Sequence, residues 1–226
     1  MRISPSVFAR IGLTMVGAED LTREATIKRH WRANFGASPV VCSNMWELID
    51  PTNNANLPSN AQVQHLLWAL CLLKLYKAEE AYRKMTNGVD ATTFRKWSWL
   101  FVDEIAFLEA RVILWENRRI DDILNDAMCS VDGTDTILPN FKPRWKGWYS
   151  YKLNHGGSRW EVGLCIRTGE IVWIHGPFPA GRWNDIKIFR HAMKYHLDDH
   201  EKAEADDGYV GEPMKCLTPK LSSHWR

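Results

Sequence analysis

The sequence has no Cys-x-x-Cys pair, no run of apolar residues of membrane length, and no strong excess of charge of one sign. Its five cysteines, Cys42, Cys71, Cys129, Cys165 and Cys216, lie far apart. That spacing argues against a zinc site and a secreted disulfide framework, and favours a reducing compartment. The longest apolar stretch near the start, Val7 to Ala18, is broken by Arg10 and diluted by Gly12, Thr14 and Gly17. It lacks the continuous core of a signal peptide. Nothing approaches the roughly 18 uninterrupted apolar residues of a membrane helix. A formal net charge of +2 gives no global basic field that by itself declares a nucleic-acid partner. A protein of the nucleus or cytoplasm, without membrane contact, is expected.

What is present is apolar and aromatic. Of 226 residues 45% are apolar and twelve are tryptophan, enough for a substantial core with rings to spare as stacking surfaces. Residues 1–60 read as a weakly helical N-terminal extension closed by a linker, the Asn- and Pro-rich stretch Asp50 to Asn60. From Ala61 the period becomes helical. Val63, Leu66, Leu67, Leu70 and Leu73 fall on one face. A shorter helix over Lys77 to Met85 is expected to stop at Thr86-Asn87-Gly88, and Asp90 or Thr92 to cap the next one. There Phe94, Trp97, Phe101, Ile105, Leu108, Val112 and Trp115 form a stripe that leaves Arg95 and Lys96 facing outward. Residues 61–120 thus have the outline of a helix-turn-helix unit, although an ordinary helical hairpin has the same pattern.

Beyond Asn117-Arg118-Arg119 the period shifts to two. Strands are expected over Met128 to Leu138, Trp160 to Arg167 and Glu170 to His175, the last two as a hairpin ended by Pro177, Pro179 and Gly181. Asn184-Asp185 is placed to cap a helix running to about Leu197, and a fourth strand fits Lys202 to Asp206. The expected fold class is α+β, with a helical region before a domain over 121–226 whose order of strand, strand, strand, helix, strand permits a ribonuclease-H-like sheet. In such a sheet the first strand lies beside the fourth, which would set Asp132 next to Asp206.

Those two acids are the centre of the reading. Each ends a strand and runs into a glycine turn: Val131-Asp132-Gly133-Thr134 and Ala205-Asp206-Asp207-Gly208. Carboxylates at strand ends suit Mg²⁺ or Mn²⁺, hard cations that take oxygen ligands, and divalent metals serve phosphodiester hydrolysis. Taken alone, each is equally a turn-capping aspartate. Between Lys142 and Trp160 come five basic residues, among them Lys142, Arg144, Lys146 and Lys152, five Trp or Tyr residues and no acid. Cations for phosphates interleaved with rings for bases make a nucleic-acid track. Tyr149 and Tyr151 are the rings expected in the core. His191, His196 and His200 read as a solvated helix end, His175 as structural, and Asp121-Asp122 as mixed surface.

Val131-Asp132-Gly133-Thr134, Tyr151-Lys152, Gly181-x-x-Asn184-Asp185 and Ala205-Asp206-Asp207-Gly208-Tyr209 occur in that order. Together they resemble the DDE nuclease domain of Harbinger-type transposases. Thr92-Thr93-Phe94-Arg95-Lys96-Trp97 and Trp115-Glu116-Asn117-Arg118 are similar to the helical region before that domain. The resemblance implies Mg²⁺ or Mn²⁺ dependence, DNA nicking and strand transfer, Asp132 and Asp206 as catalytic metal-binding acids, and Asp185 as a supporting residue. It implies DNA contact through Arg95 and Lys96, and a separate Myb-like DNA-binding partner; self-assembly is left open. The family's third acid lies well beyond the second, whereas only 20 residues follow Asp206. The expectation is a C-terminally truncated, incomplete catalytic set. A non-catalytic DNA-binding or scaffold remnant is the alternative, and a metal-dependent hydrolase of small molecules a third reading.

Overall fold

A computed structural model describes residues 2–119, 127–139, 142 and 145–219. It divides into two compact units, Met1–Arg111 and Val112–Arg226.

In the first unit the helices are α1 (Pro5–Met15), α2 (Glu24–Phe35), α3 (Pro39–Ile49), α4 (Val63–Leu75), α5 (Ala91–Phe107) and the short α6 (Glu109–Val112). Their starts follow capping chemistry. Ser4 and Ser38 accept backbone N–H bonds ahead of a proline at the first helical position, and Asp90 accepts from the Thr93 amide at 2.9 Å. α4 is buried on all sides from Leu66 to Leu72. The single face expected from its spacing is therefore too narrow. Trp68, Ala69 and Cys71 are buried as well, while Leu73, at 51% exposure, is not. A helix apolar all round belongs inside a bundle. Phe8, Trp31, Phe35, Trp46 and Phe101 share its core, so the boundary read near residue 60 falls inside this unit.

α5 buries Phe94, Trp97, Phe101 and the following Leu108. Its stripe does not continue as one helix. α5 ends at Phe107, Val112 is 48% exposed, and Trp115 opens a separate 3-10 turn in the second unit. The segment expected as a helix over 77–85 is one 3-10 turn, Glu79–Tyr82, followed by Asn87 and Gly88 at φ 54 and 81. Arg95 and Lys96 do face solvent, and Arg95 clasps the Glu79 carboxylate with two nitrogens.

The second unit is built on a mixed sheet. Its strands are β1 (Ala127–Ile137), β2 (Tyr149–Ser150), β3 (His155–Cys165), β4 (Ile171–Pro179), β5 (Lys202–Ala205) and β6 (Cys216–Leu217). Among the described residues the order is β4-β3-β1-β5-β6, with β2 beside the start of β3. β3 is antiparallel to β1 and β4, whereas β5 is parallel to β1 and β6. β4 runs past Pro177 to Pro179, further than expected; it lies at the sheet edge, where a missing N–H breaks no ladder. α7 (Asp185–His191), capped by Asn184, buries Ile186, Ile188 and Phe189. It ends earlier than expected, giving way to a 3-10 turn over Met193–Tyr195. Cys129, Val131, Phe189, Met193, Ala203 and Tyr209 form the core. A buried ion pair holds its edge: Arg118 donates to both Glu201 oxygens at 2.8 and 3.1 Å.

Candidate active site

Val131 on β1 and Ala205 on β5 are partners in a parallel ladder. Asp206 is the first residue after β5, as expected, but Asp132 does not end its strand. It lies in the middle of β1, which continues beside β3 to Ile137, so the two acids stand side by side where the parallel pairing stops. Both are exposed. Each accepts one bond from a nearby amide: Gly133 donates to Asp132 Oδ1 at 2.7 Å and Gly208 to Asp206 Oδ1 at 2.8 Å. Gly208 lies in a 3-10 turn, whereas Gly133, expected in a turn, is a paired residue of β1. The second oxygen of each carboxylate lies outside that bond.

Asp185 lies close by, in the first turn of α7. A Cβ on Gly133 would fall 2.0 Å from Asp185 Oδ1, so only glycine lets this carboxylate lie against β1. Across the site, the point a Gly208 Cβ would occupy is 2.9 Å from Asp206 Oδ1 and 3.1 Å from Asp185 Oδ2. Asp206 therefore adjoins Asp132 on one side and Asp185 on the other. Burial pushes the Asp185 carboxyl above the usual carboxylate range; Arg159 opposes this, and the charges of Asp206, Asp132 and Asp135 add to the rise. Its Oδ1 is buried without a hydrogen-bond partner. Successive strand residues face opposite sides, so the Cβ of Asp132 points away from the face that Asp185 covers at Gly133. Among the described residues no three His, Cys, Asp or Glu side chains group tightly enough to hold a metal by themselves.

A second layer was not foreseen from sequence. Arg159 on β3 donates to both oxygens of Asp135 at 2.7 and 3.0 Å and reaches Asp185 Oδ1 at 3.4 Å. Ser150 also donates to Asp135. Burial alone would raise the Asp135 carboxyl, but the bonds from Arg159 and Ser150 outweigh it and hold the group below its ordinary range. Deeper still, Glu161 is fully buried, accepts from Trp173 Nε1 at 3.0 Å and has no partner for Oε1. Burial pushes its carboxyl up to about 8, against the Trp173 bond and with the help of the Asp185 charge. The signal for Asp135 and Arg159 lay in the alternation of β1 and β3, but their pairing depends on a register that composition does not carry.

The basic residues divide. Lys152 donates to the Gly133 carbonyl at 3.3 Å, directly behind Asp132. Lys142 sits over the Trp145 ring at 5.8 Å, and Lys146 is exposed in the turn before β2. Arg144, like Asp121 and Asp122, lies outside the described residues. Arg95 and Lys96 belong to the other unit. The expectation of a core role for Tyr151 is wrong: it is 82% exposed, because Ser150 takes the inward position on β2, and Tyr149 is half-buried. His175 meets His191 at 3.1 Å between ring nitrogens, and His196 packs on Trp173. Comparison with protein-family models, curated proteins and solved structures finds no match.

Proposed function

We propose that the second unit is a ribonuclease-H-like, metal-dependent DNA endonuclease of the kind the Harbinger resemblance implies. The observation that carries this reading is the parallel register of Val131 with Ala205, which sets Asp132 beside Asp206. The strand order β4-β3-β1-β5-β6, with the first long strand next to the one that follows α7, supports it.

The residues present fit a divalent ion. Mg²⁺ is commonly bound through one or two carboxylates plus waters and substrate phosphates, without an all-protein cage. Asp132 and Asp206 would hold it. Asp185, lying against Gly133 and within 3.4 Å of the Arg159 guanidinium, would support them from nearby rather than complete a three-carboxylate set. When bound, Mg²⁺ or Mn²⁺ supplies a lowered pKa for attacking water and charge stabilisation at the phosphate. Arg159 holds Asp185 in place and tempers its charge. Lys152 brings a cation to the middle of β1 beside Asp132, where a phosphate would lie. Lys142 and Lys146 would neutralise flanking phosphates, making affinity fall with salt.

On the helical unit Lys96 would meet a duplex backbone, and Arg95 would do so on releasing Glu79. A nuclear location and a Myb-like partner belong to the same reading. The alternative, a DNA-binding remnant without catalysis, is favoured by one observation: no three acids converge among the described residues. Mn²⁺ titration of the full chain, followed by calorimetry, tests the proposal. Binding that weakens about tenfold or more in Asp206→Asn, Asp132→Asn and Asp185→Asn supports it, since losing a ligand or its close support costs that much. Equal binding in all four proteins rules it out.

A further inference from the structure

We propose that the groove between the turn before β2 and the end of β4 seats an unpaired nucleotide of the DNA strand being processed. Leu138, Trp145, Lys146, Trp148, Pro179 and Arg182 line a cavity of about 630 Å³, within the span of ligand-binding clefts. The identity of the strand rests on the endonuclease reading above. The groove itself does not.

Its walls are locked together backbone to backbone. Gly181 donates to the Gly147 carbonyl at 3.0 Å. A Cβ on Gly181 would stand 2.8 Å from the carbonyls of Lys146 and Tyr149, and one on Gly147 would stand 2.5 Å from Arg182 Nε. Two glycines therefore allow the Arg182 side chain to lie across the turn that carries Trp145 and Trp148. The lining combines two indoles with two cations and no acid. Trp145 is 44% exposed, and Lys142 adds a third positive charge over its ring.

That chemistry selects one state of a nucleic acid. An indole face binds the face of a base, and in a duplex those faces are covered by neighbouring pairs, so only an unstacked nucleotide can use it. The cations supply the phosphate contacts. The position suits a strand leaving the acids. Asp132, Thr134, Thr136 and Leu138 alternate onto one face of β1 and its extension, and six residues at about 3.4 Å each put the groove ~20 Å from Asp132. That distance is about six nucleotides of stacked strand, fewer of an extended one.

The test uses the full chain in metal-free buffer, with fluorescence anisotropy on a blunt duplex and on the same duplex carrying a short oligothymidine tail. The tailed duplex is expected to bind about tenfold more tightly. Trp145→Ala and Arg182→Ala should abolish that preference and leave blunt-duplex affinity unchanged; both side chains are exposed, so the fold is kept. Equal affinity for the two duplexes, or a preference that survives in Trp145→Ala, overturns the proposal. Tighter binding of an oligouridine tail overturns the assignment to DNA. Because no metal is present, a chain that fails to nick DNA can still pass this test, and one that nicks can fail it.

Discussion

The Asp185 carboxylate rests on the bare backbone of Gly133, its Oδ1 2.0 Å from where a Cβ would stand. A strand residue without a side chain thus makes room for an acid from α7, near Asp132 in mid-β1 and Asp206 just after β5. Gly133→Ala should drive Asp185 away from Asp206. The expected result is a loss of Mn²⁺ affinity of about tenfold, as when a close support of a metal ligand is removed. A stability cost of about 1–3 kcal/mol from overpacking should accompany it. Calorimetry and urea denaturation on the same protein check both. Unchanged metal affinity would show that the position of Asp185 is immaterial to the ion.

Glu161 gives the sheet a pH dependence opposite to that of an ordinary carboxylate. The folded protein keeps its proton up to about pH 8, whereas the unfolded chain releases it near the ordinary carboxyl value of 4.5. Its contribution to stability is therefore complete below pH 4.5 and is lost as pH rises towards 8. Glu161→Gln keeps an acceptor for Trp173 and removes the ionisation. It should stabilise the second unit near pH 8 by a few kcal/mol, at about 1.4 kcal/mol per pH unit of the window. Hydrogen exchange across β3 at several pH values reads this out. A variant whose slope matches the parent contradicts the assignment.

His65 gives the helical unit the reverse behaviour. It stacks on Trp97 with ring centroids 3.8 Å apart, and its Nδ1 accepts from the Gln62 amide at 3.1 Å. Burial lowers its pKa to about 4 from 6.5. The unfolded chain takes the proton first, so stability is full above pH 6.5 and falls as pH drops towards 4, by about 3 kcal/mol in total. His65→Gln should be less stable at neutral pH and flat across that window, measured by exchange of α4 amides. A slope retained in the variant would place the titration elsewhere.

Periodicity carried the order and type of the long elements well. β1, β3, β4, α7 and β5 follow the expected sequence, and the adjacency of Asp132 and Asp206 follows from that order once β1 and β5 pair. Local chemistry carried the caps at Asp90 and Asn184, because a side chain accepting a nearby amide is readable from a few residues. Long-range geometry was not readable. Leu73 sits on the same helical stripe as Leu66 yet faces solvent, since nothing in the stripe says how many neighbours surround α4. Tyr151 looks apolar enough for a core, but the register of β2 gives the inward place to Ser150. Arg159 counted as one cation in a basic track, and only the pairing of β3 with β1 turned it towards Asp135 and Asp185. The groove at Trp145 joins residues more than thirty apart through Arg182, a contact made by backbone approach at two glycines.

The most direct test of the central claim is Mn²⁺-dependent nicking of supercoiled DNA by the full chain, beside Asp132→Ala. Nicking should require the metal and disappear in the variant, since Asp132 is one of the two acids that would hold the ion. Nicking that persists in Asp132→Ala, or a chain that binds DNA and never nicks it, contradicts the account. The second result would leave a DNA-binding remnant.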